Sequence, residues 1–354
     1  MKRRLSIGLA VALLLAVVAV IVWGRGDDTT QAELTTVRGA IGSEKLPFFQ
    51  DQRVLDAFAK HGLKVQVDAA GSRQIATSLD LGKYDFAFPA SSPAAQRIQR
   101  DRKVTSVYTP FSSPMAVATF EPIVSLLSAQ NAVHKGPGDY QVLDIAKYLE
   151  LTATRWDQLP GNTAFPARKN VLITTTDPRE SNSAAMYLSI VSFVANGNAV
   201  VSTPEAEAKV APGLAKLFLD QGYTQNSTEG PFEDYLSAGM GKTPMVLIYE
   251  SQFLGRQLKA DGAIRPDMRL LYTSPTIYSK HTLIPLGGNG DKVGQLLSTD
   301  PELGKLAASF GFRTSDPRHF TETQPKAPAD LVDAVEPPTF ETLERMLDAV
   351  KKQY

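Results

Sequence analysis

Cysteine is absent from the 354 residues of this chain. That excludes disulfides, cysteine-based zinc sites, thiol catalysis and a lipid-modified N-terminal cysteine. Histidine is scarce, with His61, His134, His281 and His319 at no metal-ligand spacing. An excess of either charge is lacking too, because 37 Lys and Arg balance 37 Asp and Glu. No electrostatic footprint for nucleic acid follows from such a balance. Catalytic signatures are also missing: there is no G-x-S-x-G nucleophile elbow, no HExxH and no suitably placed S-x-x-K. Gly239-Met240-Gly241-Lys242-Thr243 has the end of a phosphate loop, but Leu236 stands where its first glycine belongs. His281, next to Lys280, reads as a surface pair at a strand end rather than as a base. The expectation is a chain without catalytic residues, metal site or cofactor.

What is present begins with Lys2, Arg3 and Arg4 ahead of an apolar run from Leu5 to Trp23. At ~1.5 Å per residue that run is long enough to cross the hydrocarbon core of a bilayer. It exceeds the apolar region of a secretory signal, and no clean A-x-A cleavage site follows it. Residues 1–26 are therefore expected to form an uncleaved, single-pass membrane anchor through residues 5–23. The positive-inside rule then places the remainder of the chain outside the cytoplasm. A cleaved signal and a secreted chain is the alternative.

Past a polar linker at Asp27–Glu33, strand and helix patterns alternate. Strands are expected at Thr36–Ile41, Leu63–Val67 and Tyr84–Phe88, each followed by a helix. This alternation predicts a mainly parallel sheet with helices on both faces. The three strands end in small hydroxyl residues, Ser43, Ser72, and Ser91 with Ser92. Parallel strands place such loops along one edge of a sheet, where open α/β folds bind ligands. Met115–Phe120 reads as a strand leaving this first unit. Helices are expected at Glu121–Ala132 and Val142–Glu150, with a loop at Val133–Gly138 between them. A helix at Pro204–Leu219 is expected to be interrupted at Pro212.

The most informative stretch is Leu172–Ala195. Val171–Thr175 has the β-branched content of a buried strand. Asp177, Arg179, Ser181, Asn182 and Ser183 follow in a polar loop, and then comes a helix that is apolar nearly all round. A helix opened by serine and asparagine offers free backbone N–H groups and hydroxyls to an anionic or carbonyl oxygen. Arg73 and Arg179 add guanidinium groups suited to bidentate grip on an oxyanion. Met245–Tyr249 reads as a buried strand returning to the first unit, with Glu250 at its end. Thr321–Pro338 reads as a surface tether and Phe340–Lys352 as a final amphipathic helix.

One unit at 36–118, a second at 119–243, a return at 244–314 and a C-terminal tail and helix at 315–354 make a two-lobed α/β chain. In this arrangement it resembles the type II periplasmic, or extracellular, solute-binding proteins. The similarity is carried by Gly71-Ser72-Arg73-Gln74-Ile75-Ala76, Tyr84-Asp85-Phe86-Ala87, Asp177-Pro178-Arg179-Glu180-Ser181-Asn182-Ser183 and Met245-Val246-Leu247-Ile248-Tyr249-Glu250. It is to the branch holding molybdate-, sulfate- and phosphate-binding proteins. The resemblance implies two lobes that close on a ligand by hinge motion, and an ATP-driven membrane transporter as partner. Carried onto this sequence, the ligand groups fall on Ser43, Ser72, Ser91, Asp177, Ser181, Asn182 and Ser183, with Glu250 and Tyr278 near the return crossing. Glu44, Asp177 and Glu250 depart from that pattern, since each repels a nearby dianion by ~1–4 kcal/mol. The expected function is closure over a small polar, anionic solute. The rival reading is a membrane-anchored sensor or scaffold that uses the same fold to contact a protein partner.

Overall fold

The computed structural model describes residues 34–178, 180–221 and 225–353. The expected anchor at 1–26 and Arg179 lie outside the described residues. Among the described residues no helix is long and apolar enough to cross a membrane.

The first lobe opens with β1 (Thr35–Gly42), a 3-10 turn at Ser43–Lys45, and helices α1 (Leu46–Gln50) and α2 (Gln52–Lys60). Asp51 caps α2 by accepting from the Arg53 backbone N–H, and Val54, Ala57 and Phe58 turn its apolar stripe inward. Then come β2 (Leu63–Ala70), α3 (Ser72–Thr77), β3 (Phe86–Phe88) and α4 (Ser92–Arg102). β1 runs parallel to β2 on one side and β3 on the other, as the alternating pattern predicts. The core of this lobe is largely aromatic: Phe48, Phe49, Phe58, Phe86, Phe88 and Phe111 interlock, and Phe111 stacks on Phe312 with centroids 5.0 Å apart.

Strand β4 (Tyr108–Phe120) carries the chain into the second lobe. That lobe contains α5 (Glu121–Ala129), β5 (Val133–Lys135), β6 (Gln141–Asp144), α6 (Ile145–Leu151), α7 (Asn182–Ala195), α8 (Pro204–Leu219), α9 (Glu229–Ala238), β7 (Met245–Tyr249), α10 (Glu250–Lys259) and β8 (Met268–Ser274). β7 and β8 both pair antiparallel with the second half of β4, and β6 and β5 extend the sheet beyond β8. The return to the first lobe is made by β9 (Tyr278–Pro285), antiparallel to β3 and to the first half of β4. α11 (Gly288–Thr299), α12 (Pro301–Ser309), β10 (Arg313–Thr314), α13 (Pro317–Thr323) and α14 (Phe340–Lys351) complete the chain.

Several expectations need correction. The sheet is mixed rather than mainly parallel, because β4, β7, β8 and β9 join it through antiparallel pairings. The return crossing lies at β9 rather than at 244, since β7 and β8 still hydrogen-bond to the second-lobe half of β4. Val133–Gly138 is not simply a loop: β5 forms a hairpin with β6, and α6 starts only after Asp144, which caps it through the Lys147 N–H at 3.0 Å. Val171–Thr175 is buried but is no strand. Only Thr174 pairs with its neighbour β7, while the Tyr148 hydroxyl and the Gln221 side chain take the N–H groups of Ile173 and Thr175. α8 runs unbroken through Pro212, which lies on its exposed face while Val210, Ala211, Leu214 and Ala215 bury the other. That burial offsets the ~3 kcal/mol cost of an interior proline.

α11 approaches the start of β3 so closely that a Cβ on Gly290 would lie 1.9 Å from the Asp85 carbonyl oxygen. Gly290→Ala is expected to destabilise the protein by about 1–3 kcal/mol, read as a lower urea midpoint. An unchanged midpoint would show that this helix packs less tightly than described.

Candidate functional site

Because β1, β2 and β3 are parallel, the turns that follow them share one edge of the first lobe. Ser43 stands in the turn after β1 and Ser72 opens α3 after β2. Opposite them the second lobe presents the start of α7, where Ser181, Asn182 and Ser183 are all buried. These residues, with Glu44, Gly71, Asn226, Ser227, Thr228 and Tyr249, line a narrow cleft between the lobes. The cleft is shut and leaves room for about one water molecule.

Asn182 bridges its two walls, and further polar contacts fix each wall within its own lobe. The Asn182 amide donates to the Ala90 carbonyl at 3.2 Å and to the Tyr249 hydroxyl at 3.0 Å. The Ser279 hydroxyl donates to the same Ala90 carbonyl, and the Ala90 N–H donates to Ser72 Oγ at 2.8 Å. A Cβ on Gly71 would lie 2.9 Å from the Glu180 carbonyl oxygen, so the two backbones touch at the rim. Behind that rim, Ser183 Oγ is 2.6 Å from Thr176 Oγ1 and 2.9 Å from Ser181 Oγ. Ser181 occupies the N-cap position of α7, yet its side chain makes no capping bond to the first turn. The first-turn N–H groups of a 14-residue helix, the positive end of its dipole, therefore open toward this hydroxyl cluster.

The cleft floor holds an ionic cluster that the sequence did not suggest. Lys45 and His281 are fully buried and Glu44 nearly so. The Lys45 ammonium contacts the Glu44 carboxylate and lies 3.1 Å from His281 Nδ1, which is 3.3 Å from Glu44 Oε1. Burial works against ionisation of Glu44, but Lys45 and His281 outweigh it and hold its pKa at about 2. Burial, helped by the Lys45 charge, brings His281 down to about 4. Burial also lowers Lys45, against the pull of Glu44. His281 is thus no surface residue. Its ring packs against Tyr249 and Phe312, while its neighbour Lys280 points outward to Glu336 at 2.6 Å. Only the Gly42-Ser43-Glu44-Lys45 turn after a strand hinted at this cluster, because its third member lies 236 residues away from Lys45.

Other expected ligand groups are placed elsewhere. Ser91 caps α4, accepting from the Ala94 N–H at 3.3 Å. Glu250 is buried outside the cleft, paired with Arg313 at 2.7 and 2.8 Å and accepting from the Tyr272 hydroxyl at 2.6 Å. The Tyr278 hydroxyl accepts from the Leu331 N–H at 3.1 Å and so holds the C-terminal tail. Arg73 lies at the rim, its guanidinium forked onto Glu344 at 2.6 Å through both Nε and Nη2. Asp177 is buried beside the cleft, and its carbonyl accepts from the Glu180 and Ser181 N–H groups.

No protein-family model and no curated protein matches this chain. Solved structures do. The sulfate-binding protein SubI from Mycobacterium tuberculosis H37Rv superposes with a TM-score of 0.52 at 14% identity, over 90% of this chain and 99% of that one. Iron-bound HitA from Pseudomonas aeruginosa gives 0.53 at 12% identity, over 90% and 99%. The apo ferric ion-binding protein A of Pasteurella haemolytica gives 0.55 at 11%, over 90% and 97%. The chain has the two-lobed α/β fold of the type II periplasmic solute-binding proteins.

Two outcomes follow from the buried charges. His281 is depressed from 6.5 to about 4 and Glu44 from 4.5 to about 2. Both groups stabilise the fold fully above their unfolded values, and both contributions fade as pH falls. The unfolded chain binds the extra proton at His281 first, from about pH 6.5 down to 4, and at Glu44 below that. Urea midpoints should fall over the first interval, and His281→Gln should flatten that slope; an identical slope in the variant would remove His281 from the account. Glu250→Ala strands the Arg313 charge in the interior and should cost about 3–5 kcal/mol. A loss below 1 kcal/mol on unfolding would mean that water reaches this pair.

Proposed function

We propose that this protein is an extracytoplasmic solute-binding protein, tethered to the membrane through residues 5–23. It closes its two lobes over a small polar, anionic solute and hands it to a transporter in the same membrane. The observation that carries this reading is the uncapped start of α7, buried in an interlobe cleft opposite Ser43 and Ser72. Hydroxyls and free backbone N–H groups are hydrogen-bond donors aimed where negative charge is favoured. Glu44 opposes an anion, but Lys45 in contact with it offsets its charge. The solved structures of like fold support a binding role, one of them being named for sulfate and two for iron. Among the described residues no group of three or more His, Cys, Asp or Glu could hold a metal ion.

A second reading has its own support. The side chains of Asn182, Tyr249 and Ser72 are bonded to one another or to Ala90 with the lobes shut. That suits a sensor or scaffold whose binding-protein fold contacts a protein partner.

Thermal melting against sulfate, phosphate, molybdate and small carboxylates separates the two. A solute at a hundredfold its Kd adds ~2.7 kcal/mol and, at about 2–4 °C per kcal/mol for a unit of about 150–250 residues, should raise the Tm by about 5–11 °C. Ser183→Ala should weaken that binding by about 10- to 150-fold, since one charge-assisted hydrogen bond contributes about 1.5–3 kcal/mol. A flat panel on a cooperative melt favours the scaffold. Fractionation checks the tether, with full-length chain expected in membranes and a shortened, soluble chain counting against it.

A further inference from the structure

The C-terminal helix belongs to one lobe by packing and touches the other by charge. Leu343, Met346, Leu347 and Val350 of α14 are buried in the second-lobe core, and Arg345 pairs with Glu207 of α8 at 2.6 Å. The opposite side of its first turns faces the first lobe. Glu344 is forked by Arg73 of α3 at 2.6 Å, Glu341 meets Arg100 of α4, and the Phe340 ring lies 5.7 Å from the Arg97 guanidinium. Arg73 also donates to the Pro178 carbonyl of the second lobe, just before the loop that opens α7. One guanidinium at the rim of the cleft is thus gripped from two segments of the opposite lobe.

We propose that α14 is an interlobe latch, and that Glu341 and Glu344 hold the two lobes closed when no solute is bound. The Arg73–Glu344 pair is the stronger of its two ion pairs. It is bidentate, and its side chains are 11% and 25% exposed, against 58% and 44% for Arg100 and Glu341. Bidentate, sheltered pairs of this kind keep their strength where exposed ones do not. Opening the cleft must break this pair together with the Asn182 bond to the Ala90 carbonyl, because both cross from one lobe to the other. A latch biases the equilibrium between open and closed states without touching the solute. It therefore sets how often the empty cleft is available. The inference rests on the two-lobed closure proposed above but not on the nature of the solute.

The absence of cysteine makes the test direct. Exposed Lys64 of the first lobe and Ala153 of the second are changed to cysteine in the full chain and spin-labelled. Interlobe distances are then measured without solute, with Glu341→Gln and Glu344→Gln together. These substitutions keep the shape and the buried face of α14. The expected result is a longer-distance population at least about tenfold larger than in the parent protein, the effect of losing the sheltered Glu344 contact, with the exposed Glu341 pair adding little. Arg345→Gln, which breaks an ion pair of similar length within the second lobe, should leave the distribution unchanged. A distribution in the double variant identical to the parent's overturns the latch. Equal opening by Arg345→Gln overturns it too, since α14 would then act only through its packing. Anion-dependent melting of the parent protein, recorded separately, tells a failed latch from a protein that does not bind solute.

Discussion

Both lobes are built on one strand. From Tyr108 to Pro114, β4 pairs with β9 in the first lobe, and from Met115 to Phe120 it lies between β7 and β8 in the second. The change of sheet falls at Pro114, which has no N–H to give to a ladder. The next N–H, of Met115, goes to the Ile277 carbonyl on the returning chain, and the Thr276 hydroxyl donates to the Met115 carbonyl. The two crossings are thereby fastened side by side. Any opening of the cleft must be a rotation about this short polar and proline-bearing seam, with each lobe's core left intact.

The cleft inherits its chemistry from that arrangement. Parallel β1 and β2 deliver Ser43 and Ser72 to one wall, and α7 delivers its N-terminus to the other. Small hydroxyl donors stand on both walls, which suits a solute of little volume and high hydrogen-bonding demand. The buried Glu44–Lys45 pair adds almost no net charge. It fixes the turn after β1 by tying it to His281 on the return strand β9.

Much of the scaffold was legible in the sequence. The βα alternation over 36–100, the helix opened by Ser181–Ser183 and the amphipathic helix from Phe340 all rest on local signals, namely periodicity and capping residues. What escaped was long-range. Nothing near Glu250 announces Arg313, 63 residues on, so a buried structural pair read as a ligand group. Nothing near Val171–Thr175 reveals that Tyr148 and Gln221 claim its N–H groups, so an extended segment read as a strand. Arg73 has the chemistry of an anion ligand, and Glu344, distant by 271 residues, supplies the carboxylate that satisfies it. Ser43, Ser72, Ser181 and Ser183 do line the cleft, whereas Ser91 caps α4 and the expected charges pair elsewhere. A hydroxyl at a helix start is positioned by its own element, whereas an ion pair needs the whole fold.

The central claim is that a solute is held at the start of α7 between the lobes. Residue-resolved amide hydrogen exchange tests it most directly, comparing the protein alone with the protein plus whichever anion raises its melting temperature. The account predicts slowed exchange at Asn182, Ser183 and Ala184, and at Ser72 and Arg73 across the cleft. Stabilisation by an anion with exchange there unchanged, and protection confined to other surfaces, would contradict it.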